Sequence, residues 1–173
     1  GLGNYFKKVS PKTKMVVADP VGSIIAPYVE TGEIPNEVGS WTVEGIGEDF
    51  IPPVCDMSVA SSAYAISDAE TMATAAELLQ KEGILAGSST GTLVAAALRY
   101  CREQTEPKRV CTFVCDNGNK YLTKVYNDLW LYDQGFKERE VANDLRDLIA
   151  YRRDQGSAVT IKPDDKLMVA MAR

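Results

Sequence analysis

Gly87-Ser88-Ser89-Thr90-Gly91 sets three hydroxyls between two glycines, directly ahead of an alanine-rich stretch. Where such a loop enters a helix, free backbone N–H groups and hydroxyls converge and can hold a polar or anionic ligand. The loop contains no Lys, which excludes a P-loop, and it lacks the Gly-x-Gly-x-x-Gly of a dinucleotide site. The same residues would equally make a plain helix start, with Ser89 or Thr90 as N-cap. Upstream, "VEGIGEDFIP" (43–52) places Gly45 and Gly47 around Ile46, followed by two carboxylates and Phe50. Glycines there let backbone approach a ligand closely, or simply turn the chain between strands.

The chain has no histidine. That removes Ser-His-Asp and Cys-His mechanisms and the commonest zinc ligand. Proton transfer near neutral pH then falls to carboxylate, Lys, Tyr or Cys, or to a bound cofactor. Cys111 and Cys115 in "CTFVC" would share one strand face about 13 Å apart. That is too far for a disulfide or a common metal, so core filling is expected. With Cys55 and Cys101 they make four cysteines without small-domain spacing, which predicts free thiols in a reducing compartment. Lys120 and Lys124 fall on one helical face beside Tyr121, a pattern that predicts a surface.

The elements that must position these residues alternate in type. "KMVVADPVGS" (14–23) has an unbroken apolar centre closed by Asp-Pro and Gly, the form of a buried parallel strand. Residues 24–42 show no sustained period and carry Pro27, Gly32, Pro35 and Gly39, so mostly loop is predicted. Ser67 and Glu70 make a capping box for a helix that Gly83 stops. "ILA" (84–86) is a very short strand, and the next helix is predicted over 91–104. "RVCTFVCD" (109–116) predicts a second buried strand ending in a turn, and helical pattern resumes around 121–127. This alternation indicates an α/β fold with a mostly parallel sheet, whose ligands sit at the carboxyl ends of the strands.

After Gly135 a charged amphipathic helix carries Val141, Leu145, Leu148 and Ile149 along one stripe. "AVTIKPDDKLMVAMAR" (158–173) predicts a short strand, a turn and the start of a helix. Residues 1–14 look like the tail of a helix, and both ends predict a piece of a longer polypeptide. With 173 residues, 45% of them hydrophobic, the chain can bury one core. A net charge of −5 argues against a general nucleic-acid binder. No apolar run has the length to cross a bilayer and no signal peptide opens the chain, so a soluble, cytoplasmic protein is expected.

In combination, "VADPVGSI", "VEGIGEDFIPPV", "SDAETMATAAELLQKEGILAGSSTGT" and "DNGNKYLTKVYNDLW" resemble, in order and spacing, the cystathionine β-synthase family. These are pyridoxal-phosphate enzymes of fold type II, related to cysteine synthase. The resemblance covers residues 1 to about 136 and implies the C-terminal part of the catalytic domain. It implies a helical linker over 137–157 and the beginning of a regulatory domain of paired motifs over 158–173.

The resemblance further implies pyridoxal 5'-phosphate as cofactor, with Ser89 placing its hydroxyl at the pyridine nitrogen. Backbone at Gly45 and Gly47 would shape access for the substrate. The implied reaction is β-replacement, condensing L-serine with L-homocysteine to cystathionine. Replacement with sulfide, as in cysteine synthase, and a non-catalytic regulatory relative are the alternatives. The cofactor-linked lysine, an asparagine and the phosphate-binding loop belong upstream of residue 1 in the family, so this segment holds no catalytic residue of its own. Many members have Tyr where this chain has Glu48, which leaves the second substrate open. A homodimer or higher homo-oligomer, and an adenosyl ligand at the regulatory part, are further implications.

Overall fold

Two strands, β1 (Met15–Pro20) and β2 (Ala60–Ile66), pair in parallel, with Val17 opposite Ala63 and Pro20 opposite Ile66. The computed structural model describes residues 1–137. Helix α1 (Leu2–Val9) precedes β1, and α2 (Ile25–Thr31) lies between the strands. After β2 come α3 (Asp68–Glu82), α4 (Ser88–Glu103) and α5 (Asp128–Asp133), with a 3-10 turn at Gly118–Tyr121. Both α2 and α4 contact the two strands, and α3 packs along α4. The α/β class and the parallel pairing agree with the sequence reading. The predicted linker and regulatory segment lie outside the described residues.

β1 matches its prediction, and its closing residue starts the next element. Asp19 is buried, and its Oδ2 accepts the Ala26 N–H at 2.8 Å, at the entrance to α2. Burial raises this carboxyl above the usual aspartate range, against the lowering effect of that bond. The region predicted as mostly loop thus contains a helix. Pro27 misled the reading, because it sits in the first turn, where a missing N–H costs nothing. Gly32, at φ 77°, ends the helix.

β2 went unanticipated. "ASSAYAI" is built from small residues without clean apolar alternation, and its pairing with β1 supplies what its own pattern does not. α3 keeps its predicted limits: the Ser67 hydroxyl accepts the Glu70 N–H at 3.3 Å, and Gly83 closes it at φ 69°. The Glu70 side chain does not reach back as a capping box requires. It pairs with Arg99, which also donates to the Ala65 carbonyl at 3.0 Å, so one guanidinium ties α4 to α3 and β2.

"RVCTFVCD" corrects a prediction. It is not a strand, and Cys111 and Cys115 are exposed, as are Phe113 and Val114. A buried strand needs a ladder partner. Among the described residues, this region's only bridge is the isolated Ala86–Asn117 pair just beyond it. Past the 3-10 turn that ends at Tyr121, residues 122–126 form turns instead of a continuous helix, and the regular helix starts at Asp128. Among the described residues no helix is long and apolar enough to cross a membrane.

Candidate functional site

α4 begins at Ser88, earlier than predicted, and its N-cap is Gly87, with no side-chain cap bond. Ser89 and Thr90 are therefore not caps, and their hydroxyls are free for other work. Ser88, Ser89 and Thr90 are all buried, at 2%, 6% and 0% exposure. Thr90 Oγ1 accepts the Cys115 N–H at 3.1 Å, and Ser88 Oγ accepts the Glu44 N–H at 3.4 Å. Among the described residues the Ser89 hydroxyl makes no hydrogen bond. The Ser89 oxygen is not sealed from solvent, so it can exchange water for a ligand at little cost.

The segment 115–126 holds this turn in place. The Gly118 N–H donates to the Leu85 carbonyl at 3.1 Å, and the Gly87 N–H to the Asp116 carbonyl at 3.1 Å. Ala86 bridges Asn117 in the one position where the predicted short strand survives. The Tyr126 phenol serves Ala86 twice, donating to its carbonyl at 2.5 Å and accepting its N–H at 3.2 Å.

Asp116 Oδ2 accepts the Tyr121 hydroxyl at 2.9 Å, while Oδ1 is buried with no hydrogen-bond partner. That carboxylate lies against the N-cap. A Cβ on Gly87 would collide with Oδ1 and stand 2.7 Å from Tyr121 Cε2, so only glycine fits. Burial, reinforced by the Asp116 carboxylate, pushes the Tyr121 phenol up to about 12, and the neighbouring Ser88 hydroxyl opposes the shift.

The glycine loop meets the same turn from the other side. Gly45 and Gly47 both take positive φ, 80° and 84°. Gly47 also packs so closely that a Cβ would sit 2.6 Å from Pro20 Cγ and 2.7 Å from Trp41 Cε2. Trp41 Nε1 donates to the Ile46 carbonyl at 2.9 Å. The Ser23 hydroxyl accepts the Glu48 N–H at 3.0 Å and donates to its carbonyl at 3.2 Å, which pins the loop to the end of β1. The Glu44 carboxylate pairs with Lys124. Val43, Met72, Ala75, Tyr121, Val125 and Leu131 form the apolar cluster beneath loop, α3 and the 121–131 segment.

The fold therefore brings Ser89, Gly45 and Gly47 into one neighbourhood, joined by the Glu44–Ser88 bond. Sequence reasoning missed Asp116, Tyr121 and Tyr126 as its frame. The available signal was an Asp closing the apolar run, with a Tyr five residues on.

The sequence pattern of the family described as pyridoxal-phosphate dependent enzyme matches residues 1–116. The chain belongs to that family. It is similar to cystathionine beta-synthase of Apis mellifera, 37% identical over 84% of this chain and 28% of that protein. The yeast protein of the same name, from Saccharomyces cerevisiae, is 34% identical over 76% of this chain and 26% of its own length. The O-acetylserine dependent cystathionine beta-synthase of Bacillus subtilis is 32% identical over 72% of this chain and 38% of that protein. The chain thus spans well under half the length of these relatives. In fold it is similar to the crystal structure of O-ureido-L-serine synthase, with TM-score 0.66 and 22% identity over 87% of this chain and 42% of that one. A mutant of that synthase bound to O-ureido-L-serine gives TM-score 0.65 and 25% identity, over 91% of this chain and 43% of that one.

The residues present fit one edge of the family's cofactor. Ser89 offers a neutral hydroxyl without a competing partner among the described residues, a donor of the kind a ring nitrogen could accept. Lys124 is engaged by Glu44.

Proposed function

We propose that this chain forms one wall of the active site of a pyridoxal-phosphate β-replacement enzyme, and that the intact protein condenses L-serine with L-homocysteine to cystathionine. The observation that carries the reading is Ser89 in the first turn of α4, a nearly buried residue whose hydroxyl makes no hydrogen bond among the described residues, set in a chain of this family. When bound, the cofactor's ring takes up the electron pair released at the substrate α-carbon. Ser89 would hydrogen-bond the pyridine nitrogen without supplying a full charge. A largely unprotonated ring is a tempered electron sink, which suits β-elimination and β-replacement over transamination. Gly45 and Gly47 would line the substrate's approach, where backbone without Cβ leaves room for an amino acid.

The naming of several relatives as cystathionine beta-synthase supports homocysteine as second substrate. The Bacillus subtilis relative's name supports a second reading, in which O-acetylserine replaces serine as the donor. Replacement with sulfide remains the alternative for the acceptor, because Glu48 stands where many relatives of this family carry Tyr. Residues 137–157 and 158–173 are proposed as the linker and the opening of a regulatory domain able to take an adenosyl ligand.

The test uses the full-length protein. It should bind pyridoxal phosphate, change its visible absorbance on addition of serine or O-acetylserine, and form cystathionine with homocysteine. No spectral response to either donor sinks the proposal, and cysteine formed only with sulfide selects the alternative.

A further inference from the structure

Glu44 touches both sides of the candidate site. Its N–H donates to Ser88 Oγ at 3.4 Å, next to Ser89, and its carboxylate pairs with Lys124 across 80 positions of sequence. The residue that follows is Gly45, at a positive φ of 80°, with open space on the side where a Cβ would stand. The next anchors are farther on, at the Ile46 carbonyl on Trp41 and the Glu48 backbone on Ser23. Between Val43 in the core and Ile46, Glu44 is thus the residue through which the loop is held to α4 and to the 118–126 segment.

Its side chain is half exposed, at 49%, and Lys124 at 44%. A pair in that setting adds little to global stability, since solvent screens it and ordering two long side chains offsets part of the attraction. Its physical effect is local: it favours one position of a glycine-bounded loop over neighbouring ones. Val43 and Tyr121 belong to the apolar cluster beneath the loop.

We propose that Glu44 is a positioning residue: by bonding Ser88 and pairing with Lys124, it fixes the Gly45–Gly47 loop against the Ser89 turn and so sets affinity for the amino-acid substrate. This rests on the β-replacement reading for its substrate, but the clamp can be tested apart from it. The experiment compares full-length wild type, Glu44→Gln, Lys124→Met, Glu44→Lys, and the exchange Glu44→Lys with Lys124→Glu. Amide hydrogen exchange at residues 44–48 reads the clamp whether or not the protein is active. Steady-state kinetics with serine and homocysteine read its consequence.

Glu44→Gln and Lys124→Met are expected to quicken exchange there about two- to five-fold and to raise KM by a similar factor, as loss of an exposed pair implies. Cofactor absorbance and kcat stay near wild type. Glu44→Lys, which sets two cations together, is expected to do more, and the exchanged pair to recover most of the loss. Molar salt should raise the wild-type KM and leave that of Lys124→Met unchanged. Unchanged exchange in both single variants overturns the clamp. Faster exchange with unchanged KM overturns its role toward substrate, and failure of the exchanged pair to recover overturns the ion pair as its cause. If wild type binds no cofactor and ignores serine, the β-replacement reading fails, and the exchange result alone decides the clamp.

Discussion

Gly91→Ala tests whether the Ser89 turn is held by the contact of α3 with α4. Gly91 lies inside α4, where alanine ordinarily gains about 1 kcal/mol over glycine. Here the new Cβ would overlap the Thr71 carbonyl oxygen, standing also 3.1 Å from its carbon and 3.2 Å from Ala75 Cβ. The obstacle is helix backbone, which cannot swing aside as a side-chain end would. Overpacking of this kind costs about 1–3 kcal/mol. Separating the helices also stretches the Thr71–Thr92 hydroxyl pair, 2.9 Å apart and fully buried, at a further cost of about 1 kcal/mol. The propensity gain offsets only part, so a net loss of about 1–3 kcal/mol is expected. In urea this lowers the unfolding midpoint of the full-length protein by on the order of 1 M. Ser89 sits two residues from the substitution, so pyridoxal-phosphate affinity should fall together with stability. A midpoint raised above wild type, as an exposed helical glycine would give, refutes the close-approach argument.

Ser89→Ala should lower turnover at least ten-fold in the full-length enzyme while shifting the melting temperature little, because its hydroxyl has no protein partner to lose; a large stability loss with unchanged turnover would show a purely structural serine. Tyr126→Phe removes the group that satisfies both backbone atoms of Ala86 and should cost about 1–3 kcal/mol in denaturant titration, with cofactor affinity reduced as the turn loosens. Alkaline stability should fall in a defined window. Tyr121 and Tyr64 are both raised to about 12, Tyr121 chiefly by burial and Tyr64 chiefly by its bond to Glu103. The folded state then keeps protons that the unfolded chain releases near pH 10, so the stabilisation is full below about pH 10 and is lost as pH rises to about 12. Melting temperature measured against pH should show this decline, and Tyr121→Phe should remove part of it.

Elements with their own local code were legible from sequence. α3 has an N-cap serine, a run of helix formers and a terminal glycine, and its limits came out as read. β1 has an apolar run ended by Asp-Pro. What was illegible depended on partners distant in sequence. β2 becomes a strand because β1 lies beside it. "RVCTFVCD" has a strand's composition and no ladder among the described residues. Pro27 is by type a helix breaker, yet it occupies the first turn of α2. The site shows the same division. Ser89 and the two glycines stand out in a single pass, since loop composition advertises them. Asp116, Tyr121 and Tyr126 do not, because their meaning is a contact with Gly87 and Ala86 some 30–40 residues away.

The frame also bears on what the Ser89 turn can hold. The first turn of a helix carries a partial positive charge and favours anions. At α4 a carboxylate already lies there, that of Asp116, packed on the N-cap Gly87 with one oxygen buried and unpaired. A phosphate brought to the same turn would face that carboxylate at a few ångströms, a repulsion of about 3 kcal/mol for unit charges near 5 Å at the usual effective protein dielectric. A cation would instead oppose the helix terminus while being drawn to Asp116. The two fields act in opposite senses, so neither sign of charge gains their full support. A neutral acceptor avoids both costs and needs only one donor, which the unpartnered Ser89 hydroxyl provides. An unprotonated ring nitrogen satisfies that requirement and a phosphate does not, which favours placing the cofactor's ring edge, and not its anionic arm, at the start of α4.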